Sequence, residues 1–178
     1  MSNARRMRIL PTVAFLLVWM VLAVSAYDRL PAIIATHFGG SGRVDGFTRR
    51  SVGSWFHLPV FGAVLTVVFS VTAQLILAKP SLWNFEGKPQ LLSLPAASQR
   101  LLFEDIAVWL TAVGSSMTLL FAAICYDVWR VAMHNQHGLS IVSGSAIALS
   151  LGGLAFGTPL WMMRFNRRVI DAATKAAR

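Results

Sequence analysis

Apolar and polar positions alternate along the chain in long blocks rather than at the short spacings of a soluble domain. Apolar runs cover Ile9–Tyr27, Leu58–Leu77, Ile106–Tyr126 and Ile141–Met163, and polar connections separate them. Nineteen residues at a rise of about 1.5 Å cover about 28 Å, close to the roughly 30 Å hydrocarbon core of a bilayer. The pattern therefore predicts helices at about 9–27, 58–77, 106–133 and 141–163, the third running on past Asp127 and Arg130 toward His134. Residues 1–178 read as one membrane domain of all-α, polytopic class: four transmembrane helices and one structured extracytoplasmic loop over 28–56.

Punctuation along the chain agrees with those helices. Pro11 and Pro59 fall in first turns, where a missing N–H costs little. Trp55 and Phe56 suit an interfacial aromatic belt, and Lys79-Pro80 ends the second helix. A cleaved signal peptide is the rival reading of the first run, because Val24-Ser25-Ala26 is a small-residue cleavage pattern behind a basic start. The run exceeds the usual apolar length of about 7–15 residues, which favours an uncleaved helix. The connection 79–105 mixes Trp83, Phe85, Leu91, Leu92, Leu94, Leu101, Leu102 and Phe103 with Lys88, Arg100, Glu104 and Asp105. That mixture suits a segment lying partly on the membrane surface, with helix from Ala96 onward, and Glu104 and Asp105 would complement the start of the third helix.

Composition supports the membrane assignment: 56% of residues are hydrophobic and 13% charged, against about 25% charged in soluble domains. Mean hydropathy is +0.61. A net charge of +9 would suggest nucleic acid in a soluble protein. Here Lys and Arg at membrane ends account for it, so no nucleic-acid partner is expected. The N-terminal tail, the 79–105 connection and the C-terminal tail carry eleven basic residues; Arg29, Arg43, Arg49, Arg50 and Arg130 make five on the other side. Positive residues stay inside. Both termini are thus expected in the cytoplasm of an inner-membrane protein, with 30–50 outside.

The segment Leu30–Arg50 is the long polar excursion, with one His, one Asp, four glycines and three arginines. It resembles the signature loop of the SdpI-like bacterial membrane proteins: Leu30, Pro31, Ile34, His37 and Phe38, then Gly42, Asp45, Gly46, Phe47 and Arg50. Ala35 and Val44 stand where the family usually has proline, and Phe47 and Arg50 where it has Trp and Lys. The resemblance implies a non-enzymatic accessory, immunity or sensing protein that binds an envelope ligand such as a toxic peptide through this loop. On that reading His37 and Asp45 organise the loop, while Phe38, Phe47 and Arg50 face a partner.

Other chemistry is sparse. All four histidines fall on the outer side, so His37, Asp45, His57, His134 and His137 form a candidate metal set, zinc being the ion that imidazole and carboxylate would hold. The plainer reading is that these side chains populate interfacial loops; His-x-x-His lacks the Glu of a zinc-protease helix. Asp127 and Arg130 are within pairing reach; a modest interfacial pair is one reading, and Asp127 docking the loop through Arg43, Arg49 or Arg50 is the other. Thr111, Ser115, Ser116 and Thr118 can bond their own backbone and read as packing. No apolar core has a central charge, which argues against a pump. Gly39–Gly42 lacks the Lys-Ser/Thr of a phosphate loop, no G-x-S-x-G elbow occurs, and the lone Cys125 allows no intrachain disulfide. Gly144, Ala148, Gly153 and Gly157 make a small-residue stripe, for packing within the bundle or for a homodimer through Gly153 and Gly157.

Overall fold

The structure is a computed structural model that describes residues 3–80, 88–134 and 136–176. The elements are α1 (Asn3–Tyr27), β1 (Ile33–Phe38), β2 (Val44–Arg49), α2 (Val52–Ala78), α3 (Lys88–Leu92), α4 (Ala96–His134), α5 (Ile141–Gly152), a π-helical turn (Gly153–Gly157) and α6 (Thr158–Ala176). They divide into two compact units. Met1–Thr66 with Ser115–Ser150 make the first, and Val67–Gly114 with Leu151–Arg178 the second.

In the first unit α1 stops because Pro31 biases the residue before it out of helical space. The amides of Arg29 and Leu30 turn back onto the carbonyls of Ala26 and Tyr27 at 3.1 and 3.2 Å. β1 and β2 then form an antiparallel hairpin from Ile33↔Arg49 to Phe38↔Val44, with register shifts on both sides of His37. Its tip closes through Gly39 N–H to Arg43 O and Gly42 N–H to Gly39 O, both 2.8 Å. Gly42 sits at φ +74°, a backbone shape that glycine adopts without a Cβ penalty. α2 begins at a reciprocal serine cap: Ser54 N–H donates to Ser51 Oγ at 3.0 Å, and Ser51 N–H to Ser54 Oγ at 2.8 Å. That cap starts the helix at Val52, ahead of the apolar run.

The core of this unit gathers Trp19, Ala23, Leu30, Ile34, Trp55, Cys125 and Val128. Trp55 Nε1–H donates to Ala23 O at 2.8 Å, so the burial of this indole leaves no polar group unpaired. Gly62 is a close-approach position: a Cβ there would lie 2.9 Å from Trp19 Cη2 and 3.1 Å from Phe121 Cβ. Thr66 donates to Gly62 O at 2.9 Å, and the buried Thr66 and Thr118 hydroxyls meet.

The second unit packs Ile76, Leu91, Leu94, Leu102, Phe103, Phe165 and Val169. Trp109, Trp161 and Phe165 stack in sequence, with centroids 4.9 and 5.2 Å apart. Gln99 caps the α3–α4 turn through the carbonyls of Leu92 and Leu94 at 2.9 and 2.8 Å. α4 starts at Ala96, so Glu104 and Asp105 lie beyond its first turn. There Glu104 pairs with Arg100 at 3.3 Å and Asp105 with Arg168. The helix after residue 141 does not end at Met163 but runs to Ala176, its buried Phe165 and Val169 one turn apart on a core-facing stripe. Trp83 and Phe85, expected on the membrane surface, lie outside the described residues.

Two expectations need correction. Among the described residues three helices, not four, are long and apolar enough to cross a membrane: Val52–Ala78, Ala96–His134 and the continuous Ile141–Lys175. The apolar helix Val13–Tyr27 is shorter, covering about 22 Å of a roughly 30 Å core. The fold is also not all-α with a closed loop over 28–56, because that segment contains a β-hairpin and the first turns of α2. Its I-I-A-T-H-F and V-D-G-F-T-R strands flank a glycine-rich turn, as a hairpin requires.

Candidate functional site

The hairpin is held from both ends, and the two anchors define the site. At its base, Arg50 Nη1 donates to the carbonyls of Tyr27, Asp28 and Leu30 at 3.2, 3.2 and 2.6 Å. Its guanidinium also lies 5.4 Å from the centroid of the Tyr27 ring. Arg50 therefore caps the end of α1, where unpaired carbonyls favour a cation. A residue expected to face a partner is turned inward.

At its tip, the hairpin adds a short bridge to the turn between α4 and α5. Arg43 pairs with Gly138; Val44 N–H donates to His137 O at 3.2 Å and Leu139 N–H to Gly42 O at 2.8 Å. The approach is so close that a Cβ on Gly138 would lie 2.7 Å from Gly42 O. Behind this turn stands a buried ion pair. Asp127, fully buried, accepts from Arg130 Nε at 3.0 Å and from Ser140 N–H at 2.8 Å. Arg130, whose side chain is 19% exposed, donates a second bond to Gly138 O at 2.5 Å. Ser140 Oγ in turn accepts from Ser143 N–H at 3.1 Å and starts α5.

The Asp127–Arg130 pair is thus neither a loose interfacial pair nor a direct partner of the hairpin arginines. It fixes the backbone of 138–140, and that backbone holds the hairpin tip. Sequence spacing could locate the pair but not the two backbone groups it fastens. The Ser51/Ser54 cap was likewise missed, although Ser-x-x-Ser before an apolar run was a legible signal.

Between the anchors, the hairpin presents one exposed face. His37 Nδ1–H donates to Asp45 Oδ1 at 2.5 Å, their side chains 71% and 54% exposed. An ionised carboxylate only accepts, so Nδ1 supplies the proton of this bond, and Nε2 is the ring nitrogen not engaged by Asp45. Glycines make room for this pair. A Cβ on Gly39 would lie 2.6 Å from Asp45 Oδ2, and one on Gly46 2.8 Å from His37 Cβ. Along the strands Ile33 and Phe47 are 60% and 63% exposed, whereas Ile34 points into the core with no exposure and Phe38 packs against it. Arg43 and Arg49 are exposed as well.

The five residues considered for zinc are not brought together. His57 is exposed and its Nδ1–H donates to Ser54 O at 2.9 Å. His134 packs edge-on to Trp129 at 5.3 Å, and His137 meets the hairpin through its backbone carbonyl. Among the described residues, no three His, Cys, Asp or Glu side chains gather where they could share a metal ion. The glycine stripe of α5 and the π turn likewise packs on nothing described: a Cβ on Gly144, Gly153 or Gly157 would meet no atom within 4 Å.

Residues 13–63 match the model of a family described as a domain of unknown function, DUF1648. The match takes in the apolar part of α1, both strands with all five hairpin residues His37, Phe38, Asp45, Phe47 and Arg50, and α2 as far as Ala63. No curated protein and no solved structure matches the chain. The family match thus covers the N-terminal part of the chain, and with three helices long and apolar enough to cross a membrane it supports a multi-pass protein of the bacterial inner membrane.

Proposed function

From an SdpI-like, DUF1648-bearing membrane protein with a hairpin clamped in this way, we infer a non-enzymatic accessory, immunity or sensing role in which the hairpin receives an envelope ligand. Threading and charge together support an orientation for it. The hairpin and the α4–α5 turn touch, so they share one side. α2 leaves that side and α4 returns to it. The stretch Ile141–Lys175 then carries Arg164, Arg167, Arg168 and Lys175 to the opposite side, together with Lys79, Lys88 and Arg100 of the α2–α4 connection. The positive-inside tendency assigns that side to the cytoplasm and the hairpin to the outside.

The observation that carries the reading is the double clamp. A two-stranded hairpin alone is marginal in water; this one is fixed at its base by Arg50 and at its tip by the turn that Asp127 and Arg130 hold. The exposed face is therefore presented in one conformation, and a ligand loses little to ordering it. Ile33 and Phe47 offer apolar contact, Arg43 and Arg49 positive charge, and His37 with Asp45 directional hydrogen bonds. These suit an amphipathic peptide with acidic groups, which reaches the face without entering the bilayer. Ligand contact at the tip bears on residues 137–140, and through Asp127 on α4.

The test is binding of secreted toxic peptides to the full chain in nanodiscs. The reading expects saturable binding that Phe47→Ala or Asp45→Ala lowers at least tenfold and Ile170→Ala, on α6, leaves alone. Equal binding by all variants, or none by the native chain, contradicts it. The metal-dependent alternative rests on the Nε2 of His37, which Asp45 does not engage. Stoichiometric zinc in purified protein, lost on His37→Ala, would favour it instead.

A further inference from the structure

A second feature of the first unit lies along α1 and α4 rather than on the hairpin. The two helices border an apolar groove of about 490 Å³, lined also by the buried Trp55, within the roughly 300–1,000 Å³ of small-ligand sites. On α1 its lining runs from Phe15 to Ala26, with Arg29 in the turn beyond, and on α4 from Ala122 to Met133. At about 1.5 Å per residue these helical stretches each cover about 16 Å, and one leaflet contributes about half of a roughly 30 Å core. The groove is one leaflet deep.

Its chemistry is equally one-sided. Inside, the polar side chains are internally bonded: Ser25 Oγ donates to Leu22 O at 2.9 Å and Trp55 Nε1 to Ala23 O at 2.8 Å. At the end nearest the hairpin stands Arg29, exposed, its guanidinium making no hydrogen bond or ion pair with the described residues, its neighbour Asp28 included. On the α4 wall Trp129 lies toward that end, with Tyr126 about one turn deeper, and amphipathic rings of this kind favour the headgroup level.

We propose that this groove holds one acyl chain of an anionic phospholipid from the hairpin-side leaflet, with Arg29 on its phosphate. A cation at one end and a dry apolar channel one chain deep complement such a lipid, and Arg29 gains the partner the protein does not supply. A second copy of the chain fits less well. A neighbouring helix would need small residues along a full span, and the rim carries the exposed Phe15 and Leu22, 40% and 61% accessible. The proposal is independent of what the hairpin binds.

The experiment equilibrates the purified full chain with mixed micelles of equal phosphatidylglycerol and phosphatidylcholine, strips loose lipid, and identifies what remains by native mass spectrometry. One phosphatidylglycerol per chain is expected, favoured about fivefold over phosphatidylcholine, the effect of one cation at a lipid surface. Arg29→Gln should abolish the preference and Arg29→Lys restore most of it. Ala26→Phe, which fills the groove, should remove retention of both lipids, while Arg167→Gln changes nothing; thermal unfolding identifies any variant that misfolds. Absence of retained lipid, a preference that survives Arg29→Gln, or groove-to-groove crosslinking of Ser25→Cys chains lacking Cys125 would each overturn the proposal.

Discussion

Asp127→Ala removes the group on which the hairpin's outer anchor depends. The carboxylate is fully buried, and it accepts from Arg130 Nε at 3.0 Å and from Ser140 N–H at 2.8 Å. Its loss leaves a guanidinium that is 19% exposed without a counter-charge, and the amide that precedes α5 without an acceptor. Breaking a buried pair from one side costs about 3–5 kcal/mol. The residual exposure of Arg130 points to the lower end, about 3 kcal/mol, or a fall in Tm on the order of 6–12 °C. Thermal unfolding in detergent measures it. Removing Arg130 as well, as Asp127→Ala/Arg130→Met, should recover more than half of the loss, because no buried charge is then left unpaired. Protease cutting at the hairpin tip should rise in Asp127→Ala before global unfolding, since residues 138–140 lose their fastening. A single substitution costing under about 0.5 kcal/mol, the range of surface changes away from such features, would refute the buried-anchor argument.

Three further outcomes follow from other contacts. Gly46→Ala should cost about 1–3 kcal/mol and separate His37 from Asp45, because its Cβ would lie 2.8 Å from His37 Cβ; the His37 ring nitrogen signals in NMR report the change, and Gly40→Ala, in open space, should leave them alone. Arg50→Ala should lower stability by about 2 kcal/mol through three lost charge-assisted bonds, and Arg50→Lys should fall between, since an ammonium cannot span the carbonyls as a guanidinium does. Gly62→Val should destabilise by about 1–3 kcal/mol and loosen α1, which its Cβ would meet at 2.9 Å through Trp19, seen as faster proteolysis within α1.

The membrane class was legible because long apolar runs have few other uses, and the polar interval 30–50 stood out against them. Its strands were harder to read. The period-2 signal in Ile33–Phe38 is blurred by the register shifts around His37, and both Ile34 and Ala35 are buried. A loop-organising role for His37 and Asp45 was implied by the resemblance, but the inward turn of Arg50 was not: its partners are backbone carbonyls about twenty residues earlier, which no side-chain pattern marks. Asp127 was found by its spacing to Arg130, while its hold on Ser140 N–H depended on where α5 begins. The fourth span differs because the apolar helix counted among the described residues runs from Val13 to Tyr27, shorter than the run Ile9–Tyr27 of the sequence.

The central claim is that a doubly clamped hairpin faces the outside while the C-terminal helix ends in the cytoplasm. Labelling with a membrane-impermeant maleimide tests it directly, with a single cysteine at Gly40, where a side chain meets nothing within 4 Å, in a chain carrying Cys125→Ala. The account predicts that intact spheroplasts label Gly40→Cys fully and leave Thr174→Cys unlabelled until they are permeabilised. Labelling of Gly40→Cys only after permeabilisation, with Thr174→Cys open from the start, would contradict it.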